Sequence, residues 1–369
     1  MRENTTKYGR PTVIWEITLK CNLHCIHCGS SAGKQREKEL STDEALRLCD
    51  EFSRVNVDEV CLIGGEPFLR GDWHSIASRV KDLDMRLSVV TSGYVNGKQD
   101  ILNKLDKLEP FTVAVSLDGA TPSVHDYIRG KKGAFDNAIE FIFSASDRGL
   151  PTTIVTTVSK LNYRELPSIA NIIMGKRIAW QIQVAAPFGR FKKELMLSER
   201  EYYAVGLFIA HLRKNYSKEE MPVIGAHSFG YYSKRIPCLG LYPEWKGCVA
   251  GLSLLGVQSN GNIKGCLALP DDFVEGNIRE RSLVDIWEDP KTFIYNRDFS
   301  LDKLGDLCKG CPHGEVCRGG CNSMSVTATG KVFNTPLCFY RIEKYEPEEV
   351  KHAEIIAEEM IKELDQSIS

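Results

Sequence analysis

The alternation of short apolar runs with longer amphipathic stretches is the feature of this chain that most constrains its fold. Runs with the length and composition of strands lie at 12–18, 59–64, 86–91, 112–118, 152–158 and 180–186. Helical periods fill the gaps, and one helix can begin at Ser41, with Glu44 completing a capping box. Six strand–helix units predict an α/β fold with a parallel sheet. Because eight units close a barrel, six predict a partial (β/α)6 TIM-like barrel.

Small and polar residues follow the predicted strands. Three cysteines in the segment 21–28 follow the first strand, GGEP (64–67) follows the second, and TSGY (91–94) follows the third. SLDG (116–119) lies at the end of the fourth. Because the carboxyl ends of parallel strands meet at one edge, we expect these segments to share a rim, where such sheets bind ligands.

Near residue 225 the pattern changes, since glycine and cysteine become frequent and the helical period fades. The sequence therefore predicts a C-terminal cysteine-rich extension. A final amphipathic helix should pack its apolar stripe, from Val350 to Leu364, against the core. The predicted segments are an N-terminal arm, the partial barrel, the extension and the C-terminal helix, at 1–11, 12–225, 226–345 and 346–369.

The chain contains 13 cysteines among 369 residues. Their number is odd and no apolar export signal begins the chain, so we expect a cytoplasmic protein without a disulfide framework. In a reducing cytosol, clustered cysteines indicate metal. The formal net charge of −2 argues against a nucleic-acid partner. No apolar run approaches the roughly 18 residues of a membrane span.

The first three cysteines, Cys21, Cys25 and Cys28, have the spacing C-x3-C-x2-C. Four-iron clusters usually take four cysteines, so three would leave one iron open, and open metal positions are usually working sites. Zinc or three unrelated thiols are the alternatives, although this spacing is unusual for zinc and no nearby helix supplies a fourth Cys or His at zinc spacing. His27, between the cysteines, either stacks on a ligand or is an ordinary loop histidine.

The cysteine triplet after a first strand, with GGEP after the second, resembles the radical S-adenosylmethionine (radical SAM) superfamily. The resemblance implies a [4Fe–4S] cluster whose open iron binds SAM, and reductive cleavage of SAM to a 5′-deoxyadenosyl radical. It also implies SAM contacts from Gly64, Gly65, Glu66, Ser92, Ser116 and Arg129. Simpler alternatives stay open: GGEP can be a turn, Arg129 a solvated charge, and Asp118 a turn cap.

The later cysteines follow the order of the SPASM extension found on some radical SAM enzymes, beginning with Cys248-x12-Gly261-x4-Cys266. This resemblance implies two auxiliary [4Fe–4S] clusters. The first would use Cys248, Cys266 and Cys321, and the second Cys308, Cys311, Cys317 and Cys338.

The family often has one more cysteine after the first, which this chain lacks. We expect Cys238 as the replacement, with an open iron or a non-cysteine ligand as alternatives. Cys49 and Cys61 are predicted to be buried small hydrophobic residues.

SPASM enzymes mostly act on ribosomally made peptides, and residues 21–42, CNLHCIHCGSSAGKQREKELST, resemble the loop of mycofactocin-type peptide maturases. The resemblance implies a crosslink, thioether, decarboxylation or epimerisation on a peptide or protein side chain. It also implies a flavodoxin or ferredoxin as electron donor. Because about 11 residues precede the first strand, a fused leader-binding domain is not expected, and a separate leader-binding protein could replace it.

Three alternatives compete with peptide modification. Tetrapyrrole side-chain chemistry of the haem pathway would need cations such as Arg190, Lys192 and Lys193, although a solvated basic loop explains them equally well. Anaerobic sulfatase maturases place an aspartate after the cysteine equivalent to Cys266, where Leu267 stands here. The third alternative is an electron-transfer or structural iron–sulfur protein that catalyses no reaction.

No residue stands out as a general base. Four candidates have suitable side chains but no distinguishing context, and they are Tyr94, His125, His227 and Asp271.

Overall fold

One open sheet of ten strands runs through the protein, in the order β10-β9-β8-β1-β2-β3-β4-β5-β6-β7. The computed structural model describes residues 9–226, 229, 231–241 and 244–368. Strands β1 to β7 are Thr12–Thr18, Glu59–Gly64, Arg86–Thr91, Thr112–Ser116, Thr152–Val158, Ala179–Val184 and Val223–Gly225. Strands β8 to β10 are Leu254–Val257, Asn262–Lys264 and Val274–Asn277.

Helices lie between and after these strands. Helices α1 to α7 are Thr42–Arg54, Trp73–Asp82, Lys98–Leu108, Pro122–Arg129, Ala134–Asp147, Leu166–Ile173 and Glu199–Asn215. Helices α8 to α13 are Leu283–Glu288, Ile294–Arg297, Gly314–Cys317, Asn322–Thr329, Phe339–Tyr345 and Pro347–Ile368. None of the helices in the described part of the chain combines the length and the apolar composition needed to cross a bilayer.

The fold class expected from the sequence is confirmed. Neighbouring strands from β1 to β7 are all parallel, and the sheet stays open between β7 and β10. Ser41 caps α1, and its capping box with Glu44 is formed. Strand β7 was not predicted, because three residues are too few to display an alternating pattern.

The extension continues the barrel sheet instead of forming a separate layer. Strand β8 lies parallel to β1, with Thr12 opposite Leu254 and Trp15 opposite Val257. Strands β9 and β10 then add antiparallel pairs. This pairing joins residues more than 240 positions apart, which no local sequence pattern can reveal.

Alternate residues of each strand face opposite sides of the sheet. One side packs against the helices and supplies core residues such as Trp15, Val89 and Trp180. We call the other side the lumen face. Hydrogen bonds between side chains link neighbouring strands on the lumen face. The hydroxyl oxygens of Thr112 and Thr153 are 3.0 Å apart and share one such bond. A second, from Gln183 Nε2 to Thr157 Oγ1, is 2.9 Å long.

The C-terminal helix α13 packs along α7 and α6 of the barrel. Its predicted apolar stripe is confirmed, because Val350, Met360 and Leu364 are buried and Ile356 is partly buried against the core. Arg200 of α7 adds an ion pair to Glu349 at 2.7 Å. The last helix is therefore part of the barrel wall.

We expect Met360→Ala to lower the free energy of unfolding by about 2 to 5 kcal/mol, because it leaves a cavity where α13 meets the barrel. Met360 is 1% exposed. Urea denaturation followed by circular dichroism measures the change. Ile355→Ala is the matched control on the same helix, since Ile355 is 54% exposed. Equal losses in both variants would show that α13 does not dock as described.

Candidate functional site

The loop after β1 brings Cys21, Cys25 and Cys28 together beside Leu23 and Ala134. Burial, above all, raises the pKa of Cys21 to about 11, and the nearby charges of Glu66, Cys25 and Cys28 raise it as well. Thiols that disfavour one another's ionisation in this way gain most from a bound cation, because the metal holds them as thiolates.

Hydrogen-bond donors point at the sulfurs of this loop. The Leu23 amide donates to Cys21 Sγ at 3.4 Å, and the Ala32 amide donates to Cys28 Sγ at 3.3 Å. Arg129 Nη1 lies 3.8 Å from Cys25 Sγ. Such donors stabilise negative charge on sulfur, as the outer shell of an iron–sulfur site does.

The loop is clamped between the end of α4 and the segment after β6. Its Ile26 amide donates to the carbonyl of Ile128 at 2.8 Å. From the other side, Arg190 donates from Nε to the carbonyl of Cys25 at 2.9 Å and from Nη1 to that of Ala32 at 2.8 Å. A Cβ on Gly130 would lie 2.5 Å from the carbonyl oxygen of His24, so only glycine allows this approach.

The GGEP segment lies against the chain that enters the cysteine loop. A Cβ on Gly64 would lie 2.4 Å from the carbonyl oxygen of Thr18, and one on Gly65 would lie 2.2 Å from that of Lys20. The two glycines are therefore needed for backbone packing. Their contact with SAM stays a prediction.

Glu66 is fully buried beneath the rim and joins β2 to β3. Its carboxylate accepts hydrogen bonds from Thr91 Oγ1 at 2.8 Å, Ser92 Oγ at 2.6 Å and the Ser92 amide at 2.9 Å. Burial raises the pKa of Glu66, while Ser92 and Thr91 act in the opposite direction. The structure thus brings the two predicted contacts Glu66 and Ser92 together as one unit.

Asp118 is the centre of the site, and the sequence suggested no more for it than a turn cap. Its carboxylate is fully buried and binds two side chains through Oδ2: Arg129 Nη2 at 2.5 Å and His27 Nε2 at 2.6 Å. Its Oδ1 accepts the Thr157 amide at 2.8 Å. Burial alone would raise the pKa of Asp118, but Arg129 and His27 hold it well below its usual range. The available signal was a charged residue directly after a buried strand.

Two further predicted contacts, Arg129 and Ser116, lie at this rim. Arg129 is 7% exposed, and its Nε is buried without a hydrogen-bond partner among the described residues. Ser116, on the lumen face two residues before Asp118, is half-buried. An unpaired guanidinium N–H beside a three-thiol loop suits a ligand that carries acceptor oxygens.

The general-base candidates have defined surroundings. His125 Nδ1 accepts the Asp118 amide at 3.1 Å, and burial followed by the charge of Arg129 lowers its pKa to about 4. It is therefore neutral at pH 7. Asp271 binds Lys264 Nζ at 3.1 Å, Tyr94 packs against the cysteine loop, and His227 lies outside the described residues.

The later cysteines form two neighbourhoods in the extension. Burial, above all, and the neighbouring Cys248 raise the pKa of Cys266 to about 11. Burial and the charges of Cys248 and Cys266 also raise the pKa of Cys321. We call these three the first auxiliary group. The second auxiliary group is Cys308, Cys311, Cys317 and Cys338. Burial, above all, and the charges of other members of the group raise the pKa of Cys308, Cys317 and Cys338.

Three cysteines lie outside these groups. Cys49 is confirmed as a core residue, and Cys61 is buried as predicted, although it faces the lumen side between Ile14 and Ser88. Cys238 lies, like Cys317, near the ring of Tyr232. Its assignment to the first auxiliary cluster stays a prediction. In the described residues, no three His, Cys, Asp or Glu side chains lie close enough to hold a single metal ion.

An open parallel α/β sheet with a three-thiol loop at its rim and two more thiol groups in an extension defines an iron–sulfur enzyme. Comparison with known proteins agrees. Residues 15–173 match the model of the radical SAM superfamily, and residues 248–312 match SPASM, an iron–sulfur cluster-binding domain. The chain belongs to the radical SAM superfamily and carries a SPASM domain.

The AdoMet-dependent heme synthase of Methanosarcina barkeri is 30% identical over 342 residues, which cover 89% of this chain and 96% of that relative. Mycofactocin maturase MftC of Mycolicibacterium smegmatis is 28% identical, over 83% of this chain and 76% of MftC. The crystal structure of Streptococcus suis SuiB bound to S-adenosylmethionine has the same fold, with a TM-score of 0.70 at 19% identity over 86% of this chain and 74% of that chain.

The protein is thus an enzyme whose cofactors are a [4Fe–4S] cluster, SAM and auxiliary iron–sulfur clusters. The residues present fit these groups. A cluster with one open iron needs three thiolates, which this loop can supply, and backbone amides donate to the sulfurs of Cys21 and Cys28. A charged ligand on that iron needs a hydrogen-bond donor, and the Nε of Arg129, which has no partner among the described residues, can be that donor.

We expect Asp118→Asn to lower the free energy of unfolding by about 3 to 5 kcal/mol, because it leaves Arg129 buried without its counter-charge. Formation of 5′-deoxyadenosine should fall at least tenfold, since Arg129 and His27 lose the group that orients them. Glu359→Gln is the control, because it removes an exposed partner of Arg164. Wild-type SAM cleavage in Asp118→Asn would contradict the central role of this carboxylate.

We expect anaerobically purified protein to contain about twelve irons per chain, as three four-iron clusters require. Replacing Cys21, Cys25 and Cys28 by alanine should remove about four of them and abolish 5′-deoxyadenosine formation. Cys49→Ala should change neither quantity. A wild-type content near four irons would refute the auxiliary groups, and SAM cleavage in the triple variant would refute the N-terminal one.

Proposed function

We propose that this enzyme modifies a side chain of a ribosomally made peptide or protein by hydrogen abstraction. Cys21, Cys25 and Cys28 hold the cluster that binds SAM in this proposal, and the two auxiliary groups hold a cluster each. The outcome is an oxidative one, such as a crosslink, a thioether or a decarboxylation, or else an epimerisation. A flavodoxin or ferredoxin supplies electrons.

The chemistry of the lumen face carries the proposal. Near the rim it presents neutral polar side chains, among them Ser116, Thr157, Gln181 and Gln183. Gln183 donates to Thr157, and Gln181 lies beside Gln183 at 3.4 Å between Nε2 and Oε1. Amide and hydroxyl groups can hydrogen-bond to a peptide backbone without desolvating a charge.

Most of the cations considered at the rim are engaged, which weakens the tetrapyrrole alternative, although Lys192 is exposed. Of the three residues considered for propionate binding, Arg190 donates to two carbonyls of the cysteine loop, and Lys193 Nζ donates to the carbonyl of Ala328 at 3.2 Å. Arg129 is paired with Asp118. A tetrapyrrole with several carboxylates would need cations that are free to pair with it.

When bound, the N-terminal cluster and SAM supply the 5′-deoxyadenosyl radical that abstracts hydrogen, and the auxiliary clusters supply an acceptor for the electron left behind. The residues of the chain position and shield this chemistry. Asp118 fixes the guanidinium of Arg129, whose Nε has no partner among the described residues and would donate to an oxygen of bound SAM. The Glu66 amide donates to the carbonyl of Lys20 at 2.8 Å and holds the GGEP turn against the start of the loop, while Ser92 fixes the Glu66 carboxylate. Core helices close the other side of the sheet against water.

Tetrapyrrole modification is the second candidate, because two relatives support it. The AdoMet-dependent heme synthase matches over nearly its whole length, and the Fe-coproporphyrin III synthase of the same organism is 28% identical over 90% of this chain. Mycofactocin maturase and the PqqA peptide cyclase of Xanthomonas axonopodis, at 28% and 25% identity, support a peptide instead.

The test is to incubate reconstituted enzyme with SAM and dithionite, separately with short precursor peptides encoded beside its gene and with Fe-coproporphyrin III. We expect a mass change on a peptide and none on the porphyrin. Gln183→Leu should reduce peptide modification at least tenfold while uncoupled SAM cleavage persists, because it removes an amide from the lumen face. Gln35→Leu, at an exposed position, is the control.

Decarboxylated porphyrin together with unmodified peptide would replace the peptide proposal by the tetrapyrrole one. Loss of SAM cleavage in Gln183→Leu would mean that Gln183 supports the cofactor site and not the substrate.

A further inference from the structure

Tyr295, on α9, carries a buried hydroxyl that the reaction described above does not use. The hydroxyl is inaccessible to solvent and has no hydrogen-bond partner among the described residues. Buried hydroxyls almost always have a partner, and a native exception usually marks an absent ligand, ion or water. The question is which acceptor this hydroxyl meets in the complete enzyme.

The tyrosine packs directly on the first auxiliary group. Cys248, Cys266 and Tyr295 belong to one apolar cluster with Ala250 and Leu269. The hydroxyl oxygen lies 2.0 Å from the position that a Cβ on Gly265 would take. Gly265 immediately precedes Cys266, so the absence of a side chain there makes room for the phenol beside the thiols.

One aromatic neighbour and a surface groove define the surroundings of the ring. Phe273 packs edge-on against it, with ring centroids 5.0 Å apart and planes at 90°. Tyr295 and Phe273 both line a surface groove of about 960 Å³, together with Ile294 and Val326. Tyr295 is therefore only partly buried, and its buried hydroxyl lies beside Gly265, the residue next to Cys266.

The thiols of this group already accept hydrogen bonds from backbone amides. Cys248 accepts from the amides of Ala250 and Asn322, and Cys266 accepts from that of Ala268. The side chain of Asn296 holds the Cys248 loop in place through two bonds of 2.8 Å, to the carbonyls of Cys248 and Ala250. These contacts include no side-chain donor to a sulfur of this group, and Tyr295 packs in the same cluster with a hydroxyl that has no partner among the described residues.

We propose that the Tyr295 hydroxyl donates a hydrogen bond to the sulfur of the auxiliary cluster that Cys248, Cys266 and Cys321 hold. A phenol is protonated at neutral pH and is a donor of suitable strength. Reduction adds negative charge to the cluster, so a donor stabilises the reduced form and raises the reduction potential. Tyr295 thereby adjusts how readily this cluster accepts an electron, whatever the substrate is.

The experiment is an EPR-monitored redox titration of reconstituted Tyr295→Phe and wild-type protein, without substrate. The same comparison is repeated in the variant in which Cys21, Cys25 and Cys28 are replaced by alanine. This variant lacks the N-terminal cluster, so its EPR signals come from the two auxiliary clusters only. We expect equal iron contents and a more negative potential for one auxiliary couple. A tenfold change in its reduced-to-oxidised ratio at fixed potential corresponds to 59 mV for one electron. Tyr345→Phe, which removes a hydroxyl from a 61% exposed tyrosine, is the control.

A second measurement is independent of potentials. ENDOR spectroscopy of the reduced cluster should detect a deuterium-exchangeable proton that Tyr295→Phe lacks and Tyr345→Phe retains. Unchanged potentials for both auxiliary couples would overturn the proposal. Loss of about four irons in Tyr295→Phe would also overturn it, because the hydroxyl would then be a ligand or a structural support and not a donor.

Discussion

The buried carboxylate of Asp118 is the interaction on which the rest of the site depends. It collects a guanidinium, an imidazole and a backbone amide from three different parts of the chain. Breaking a buried charge pair is strongly unfavourable, so these parts hold one another in a single arrangement. One partner, His27, lies inside the cysteine loop, and another, Arg129, reaches toward Cys25. Strand β4 thus controls the position of the thiols.

The same constraint explains why glycines surround the loop. The chain enters the loop so close to GGEP that side chains at Gly64 and Gly65 would strike carbonyl oxygens, and Gly130 and Gly189 allow equally close approach on the other sides. A Cβ on Gly189 would lie 2.1 Å from the carbonyl of Gly29. The thiols are presented by a loop with little freedom, as pre-organised metal sites require.

Much of this architecture follows from local sequence. Periodicity revealed six strands, Ser41 and Glu44 revealed a helix start, and cysteine spacing revealed the N-terminal thiol loop. The grouping of the later cysteines came from their resemblance to the SPASM extension. The functions of Asp118 and Arg190 were hidden because their partners lie far away in sequence: His27 is 91 residues from Asp118, and Cys25 is 165 from Arg190. Long-range polar contacts leave no periodic trace. Tyr295 was missed for the same reason, since only the fold places its ring beside Cys248 and Cys266.

The pairing of β8 with β1 gives the extension a role in solubility that is separate from its thiols. Without residues 254–257, the first strand of the barrel would present a row of unpaired amides and carbonyls beside its buried Val13, Trp15 and Ile17. Such an exposed edge strand can pair with strands of other molecules, which leads to aggregation or domain swapping. The catalytic half of this chain therefore cannot be separated cleanly from the half that follows it, because a truncated fragment would expose an edge strand prone to self-association.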